Sequence, residues 1–216
     1  MNHFRRLFPL FAWRIVAVAG LGLGGCKDLF IAKQTVLVDS ISAPGIAKLA
    51  GQSYRLVARK SVVTVQTAQL PVIAACVNSA LTMVGMYEAP PSVPSDVFIE
   101  LTYGMDTSSR VDPATRESFL QLSARANHAR SLEPTHEEEL WDVRVAIAGL
   151  AGRLETAMPL LSQVAATYAG TDTHVETTIR MMPNAPAIVA VRENAVKILE
   201  TKNDAGASPQ AVGVTK

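Results

Sequence analysis

The chain has 216 residues, 49% of them hydrophobic, and its 20 lysines and arginines against 19 acids leave a formal charge of +1 at pH 7. That length is enough for one domain with a real core. The near-neutral balance, with no clustered basic stretch, argues against nucleic acid as a partner.

Arg5, Arg6 and Arg14 form a basic head, and Ile15 to Leu23 is an uncharged, mostly apolar run. The run is short of the roughly 20 residues that a membrane-spanning helix needs, so it reads as the core of a signal peptide. It ends in Leu23-Gly24-Gly25-Cys26, which resembles the lipobox of bacterial lipoproteins. That resemblance implies cleavage after Gly25, acylation of Cys26, and a membrane held as partner through the acyl chains. One chain binds only marginally, whereas several anchor a protein effectively permanently. The competing reading is an ordinary signal peptide with a chance cysteine. Phe4-Arg5-Arg6-Leu7-Phe8 also resembles a twin-arginine export signal, with Phe4 where Ser or Thr is usual and Pro9 where Leu is. Lys27, where the commonest inner-membrane retention signal has Asp, favours the outer membrane facing the periplasm; Asp28 keeps the inner membrane open. Without residues 1–25 the remaining 191 residues carry 17 bases against 19 acids, and Cys76 is the one cysteine besides Cys26. An intramolecular disulfide is then ruled out. Cys76 lies in the apolar stretch VIAACVNSAL and reads as a buried core thiol rather than a nucleophile.

In chain order, Lys33 to Ser42 alternates Val36 and Val38 with polar neighbours and predicts a first strand, ended by Ala43-Pro44-Gly45. Gly51 to Ala58 predicts a second. Pro71 to Met86 predicts a helix: proline suits its first turn and Gly85 the left-handed residue past its end. Ile73, Cys76, Val77, Ala80, Leu81 and Val84 make its apolar face. After the stiff connector APPSVP, Asp96 to Met105 places Val97, Ile99, Leu101 and Tyr103 on one face, the period of a half-buried strand. Ser118 to Ala126 repeats the pattern, and the turn-rich segment between them predicts a long antiparallel hairpin. Glu139 to Gly149 predicts a further strand with Trp141, Val143, Val145 and Ile147 facing the helices. Glu155 to Gly170 predicts a second helix, with Thr156 placed to cap it and Pro159 in its first turn. Val175 to Arg180 and Ala187 to Arg192 predict two short strands, and the tail from Asn203 lacks the apolar content to order itself.

These elements predict an α+β fold, a two-layer sandwich whose largely antiparallel sheet carries two helices on one face. The expected organisation is a signal peptide over 1–25, a lipidated start and short linker over 26–34, one domain over 35–200 and a disordered tail over 201–216. Gly51-Gln52-Ser53-Tyr54, the helix end Val84-Gly85-Met86-Tyr87, the strand opened by Asp96 and the strand containing Trp141 together resemble an uncharacterised family of Gram-negative envelope lipoproteins. The resemblance spans roughly residues 35–170 and implies this fold but no reaction.

Signals of chemistry are sparse. His136-Glu137-Glu138-Glu139-Leu140 opens like a zinc-protease helix, yet position 140 is leucine where the second ligand would stand. His128, His136 and His174 are scattered through polar loops and read as exposed rather than as a metal site. Ser53, Ser79 and Ser118 lack a His and Asp nearby in sequence. No cofactor or metal is expected, and the expected role is non-catalytic: binding or positioning an envelope component. A carrier for a small apolar ligand and a hydrolase with a dispersed site are the alternatives. The expected binding surface is the sheet face away from the helices, which should display Phe98, Glu100, Thr102, Gln121, Ser123, Arg125, Asp142 and Arg144.

Overall fold

A computed structural model describes residues 32–46, 49–58, 69–106, 116–134, 137–148 and 154–206. The chain divides into Met1–Ala32 and Lys33–Lys216, and every element below belongs to the second unit. Leu23, Gly24, Gly25 and Cys26, with the basic head before them, lie outside the described residues. So does His136.

The elements are β1 (Gln34–Ser42), β2 (Ser53–Ala58), α1 (Leu70–Met83), β3 (Tyr87–Glu88), β4 (Val97–Asp106), β5 (Glu117–Ala126), β6 (Glu139–Ala148), α2 (Leu154–Tyr168), β7 (Thr177–Met181) and α3 (Pro186–Gly206). The strands form one seven-stranded sheet in the order β3-β2-β4-β5-β6-β1-β7. The fold is α+β. β4 and β5 make the expected hairpin, in register from Val97 opposite Ala126 to Asp106 opposite Glu117. The sheet is mixed, because β2 runs parallel to β4 and to β3. A parallel neighbour needs a crossover, and α1 supplies it between β2 and β4.

Alternation sorts the strands into two faces. Val36 and Val38 of β1, Val97, Ile99 and Leu101 of β4, Leu120, Leu122 and Ala124 of β5, and Trp141, Val143, Val145 and Ile147 of β6 form the inner face. All are buried in one cluster with Ile73, Val77 and Leu81 of α1 and Met158, Leu161 and Ala165 of α2. α2 lies over β5 and β6, and the three helices pack on one another. Trp141 is 1% exposed, as its alternation predicts. Gly85 and Gly170 follow α1 and α2 with φ of +89° and +70°, and a Cβ on Gly85 would stand 3.0 Å from that of Ala50. A non-glycine residue there would meet both backbone strain and a close neighbour.

Several expectations fail. Ala187–Arg192, read as a strand, forms the first part of α3, so three helices lie beside the sheet rather than two. Pro186 opens that helix, and Ile188, Val191 and Ala195 are buried at helical spacing, so packing overrides the β-branched composition of AIVAVR. Thr201–Gly206, expected to be disordered, continue α3; residues 207–216 lie outside the described residues. Thr156 is inside α2 instead of capping it, and Pro159 falls in the second turn, since the helix already runs from Leu154.

Candidate functional site

The outer faces of β4, β5, β6 and β1 carry no helix among the described residues. There, a depression of about 330 Å³ is lined by Ile41, Glu100, Thr102, Gln121, Ser123, Arg125, Glu139 and Asp142. Six of the eight sequence-predicted surface residues therefore meet at one place. The other two do not. Phe98 is 1% exposed, so its assignment to the open surface is corrected. It stands between Arg55 and Arg125 in register. Arg55 donates to the carbonyls of Pro90, Pro91, Val93 and Leu132, drawing the β3–β4 and β5–β6 connectors across that end of the face. Ser123 is also largely covered, at 8% exposure, though its hydroxyl still reaches the depression.

Arg144 turns away from the depression. Its Nη2 lies 2.7 Å from Asp106 Oδ2, and its guanidinium stacks on the Phe119 ring with 4.0 Å to the centroid. Phe119, Leu37 and Ala146 form a small apolar cluster of their own on this outer face, and each is buried. A ring flanked in register by Gly104 and Ala146 has room to lie flat on the sheet. The guanidinium completes it as a cation over a π face.

Glu139 reaches the depression through a device that alternation alone hides. The register between β5 and β6 slips after Ala124, so that Ala124 faces Trp141 while Arg125 faces Glu139. This bulge passes over Leu140, which packs against the core instead. One extra residue re-aims the side chains around it, sending a glutamate outward and a leucine inward. Ile41 enters because β1 pairs with β6 and sets it opposite Asp142; nothing local in sequence reveals that neighbour.

Within the depression, Gln121 Nε2 donates to both oxygens of Asp142 at 3.0 and 2.9 Å, and Ser123 Oγ donates to Glu139 Oε2 at 2.9 Å. Arg125 is more loosely held. Its ion-pair distances to Glu100 and Glu139 are both 3.5 Å, its bond to the Glu137 carbonyl is 3.3 Å, and its Nε has no hydrogen-bond partner among the described residues. Two carboxylates, Glu100 and Glu139, thus flank one guanidinium, and Asp142 lines the same depression. Burial raises the Asp142 carboxyl above the ordinary range; the Gln121 bond and Arg144 oppose this, while the charges of Glu139 and Asp39 raise it further. The site has an excess of negative charge in a partly desolvated place.

A second depression, of about 380 Å³, lies among the helices, lined by Val72, Cys76, Glu155, Thr156, Pro159, Arg192, Ala195, Val196 and Leu199. Cys76 is 3% exposed. Burial pushes its thiol up to about 11, with Arg192 only partly opposing, so at neutral pH it is a thiol and not the reactive thiolate. His128 and His174 are exposed on loops. Ser53 is tied to Asp96, its hydroxyl donating at 2.7 Å and its backbone N–H at 2.8 Å. Ser79 and Ser118 are buried. Among the described residues, no group of three or more His, Cys, Asp or Glu side chains is placed to hold a metal ion, and no helix is long and apolar enough to cross a membrane.

No protein-family model matches the chain, and no curated protein matches it. Among solved structures it is similar to the PelC dodecamer from Paraburkholderia phytofirmans, with 11% identity, TM-score 0.41, and coverage of 63% of this chain and 99% of that one. A point variant of the same dodecamer gives 11% identity, TM-score 0.39 and coverage of 60% and 93%. A PDZ domain protein from Parabacteroides distasonis gives 10% identity, TM-score 0.45 and coverage of 69% and 39%. At these values the likenesses carry no argument about activity.

Proposed function

We propose that this chain is a lipid-anchored cell-envelope protein, held through Cys26 and facing the periplasm, whose domain works by binding a partner protein without catalysing a reaction. The observation that carries the reading is the depression on the uncovered sheet face. It gathers Glu100, Thr102, Gln121, Ser123, Arg125, Glu139 and Asp142 in one place. A mixed sheet can leave one face solvated with no role, but such a face has no need to gather three carboxylates and a single guanidinium in one depression. The excess negative charge suits a partner that inserts a basic side chain among Glu100, Glu139 and Asp142. Tethering raises the local concentration of such a partner, so a weak contact is sufficient.

The test is site-specific photocrosslinking in intact cells from positions 100, 102 and 121, with positions 129 and 133 of the β5–β6 connector as controls. The expected result is capture of one partner from the sheet positions, and loss of that capture together with membrane association in Cys26→Ala. Capture from the connector alone would remove the sheet-face reading. Cys26→Ala that stays with the membrane after removal of its leader would remove the lipid anchor.

A further inference from the structure

We infer that β7 pairs antiparallel with β7 of a second copy of this chain, in a register centred on Thr178. The sheet ends in β7 on one side and in the two-residue β3 on the other. Among the described residues no strand lies beyond β7, so five residues present one row of backbone groups outward, which is the template for pairing with another chain. Pairing with β1 sets Thr177, Ile179 and Met181 on the helix side, opposite Val38, Val36 and Gln34. It leaves Thr178 and Arg180 exposed on the outer side, with Glu176 exposed just before the strand.

The occupant follows from the sequence of the edge itself. For two copies to continue both layers across a two-fold axis, opposed residues must share a face, so the axis must pass through a residue rather than between two. Centring on Thr178 places Glu176 opposite Arg180 of the second copy, and Arg180 opposite its Glu176. Thr178 faces itself and Thr177 faces Ile179. Centring on Ile179 instead sets Arg180 against Thr178, and centring on Thr177 sets it against His174. Only the first register brings opposite charges together, and does so twice, at the spacing where cross-strand pairs interact. Edge pairing alone buries far less than the roughly 1,600 Å² of a standard stable interface, so the contact is weak and is best read by trapping.

The experiment uses full-length protein in membranes. Thr178→Cys is treated with a mild oxidant and the disulfide-linked dimer followed on non-reducing gels, against Thr201→Cys on exposed α3 as the collisional control and the parent chain as background. Dimer should form about tenfold faster from position 178 than from 201. In the Thr178→Cys background, Glu176→Arg or Arg180→Glu should each slow trapping by about tenfold, since each turns two favourable cross-strand pairs into like-charge pairs. The two together should restore it, which also shows that the reversed chains fold. Equal rates at 178 and 201, indifference to the single reversals, or a crosslink to a different protein would overturn the inference.

Discussion

The two faces of the sheet are made by the same strands and hold together differently. On the inner face, Ile99, Leu122 and Val143 occur at every second position and share one cluster with the helices. On the outer face the residues between them are joined pairwise, Gln121 to Asp142, Ser123 to Glu139 and Arg144 to Asp106. Removal of apolar area from water fixes the first face. Partly exposed ion pairs and hydrogen bonds, each worth little, decorate the second. Under the proposed function, stability and recognition fall on opposite sides of one backbone, and the outer side can change with small cost to the fold.

That contrast is tested most severely by Trp141→Ala, which should cost about 3 to 5 kcal/mol because the side chain is the largest in the core. An unchanged urea midpoint would show that the inner face does not carry the fold. Phe119→Ala probes the exception, an apolar residue buried on the outer face. It should cost about 2 to 3 kcal/mol and release the Arg144 guanidinium; a negligible loss would make the outer face uniformly decorative. Asp142→Asn should have the smallest effect, within about 0.5 kcal/mol at pH 7 as for most surface changes, and its sign is diagnostic. Because the folded-state carboxyl is raised above its unfolded value, the native chain holds its proton longer. Stability therefore falls as pH rises through the window just above the ordinary carboxylate range of about 4. The asparagine variant should lack that fall when melting is followed from pH 4 to 7.

Much of the architecture was legible because alternation and helical spacing report burial directly. The β4–β5 hairpin, the inward Trp141 and the glycines ending α1 and α2 all followed from local pattern. α3 was misread: AIVAVR is β-branched, but the apolar positions continue at Ala195, Ile198 and Leu199, a spacing that only a helix keeps on one side. Six residues of the depression were legible from period two. Glu139 was not, since a bulge inverts the rule where it applies. Ile41 required knowing that β1 inserts between β6 and β7. Phe98 was misplaced because its cover comes from connectors held by Arg55, a long-range arrangement with no local signature.

Cys76 is buried in α1 and lines the depression it shares with α2 and α3, and under the proposed lipid anchor Cys26 offers no free thiol. At 3% exposure the thiol reacts slowly in the closed state, and separation of the helices speeds its labelling. That labelling reads how often the helical layer opens, and its dependence on denaturant, which scales with the surface exposed, distinguishes local breathing from complete unfolding without any probe being added to the sequence.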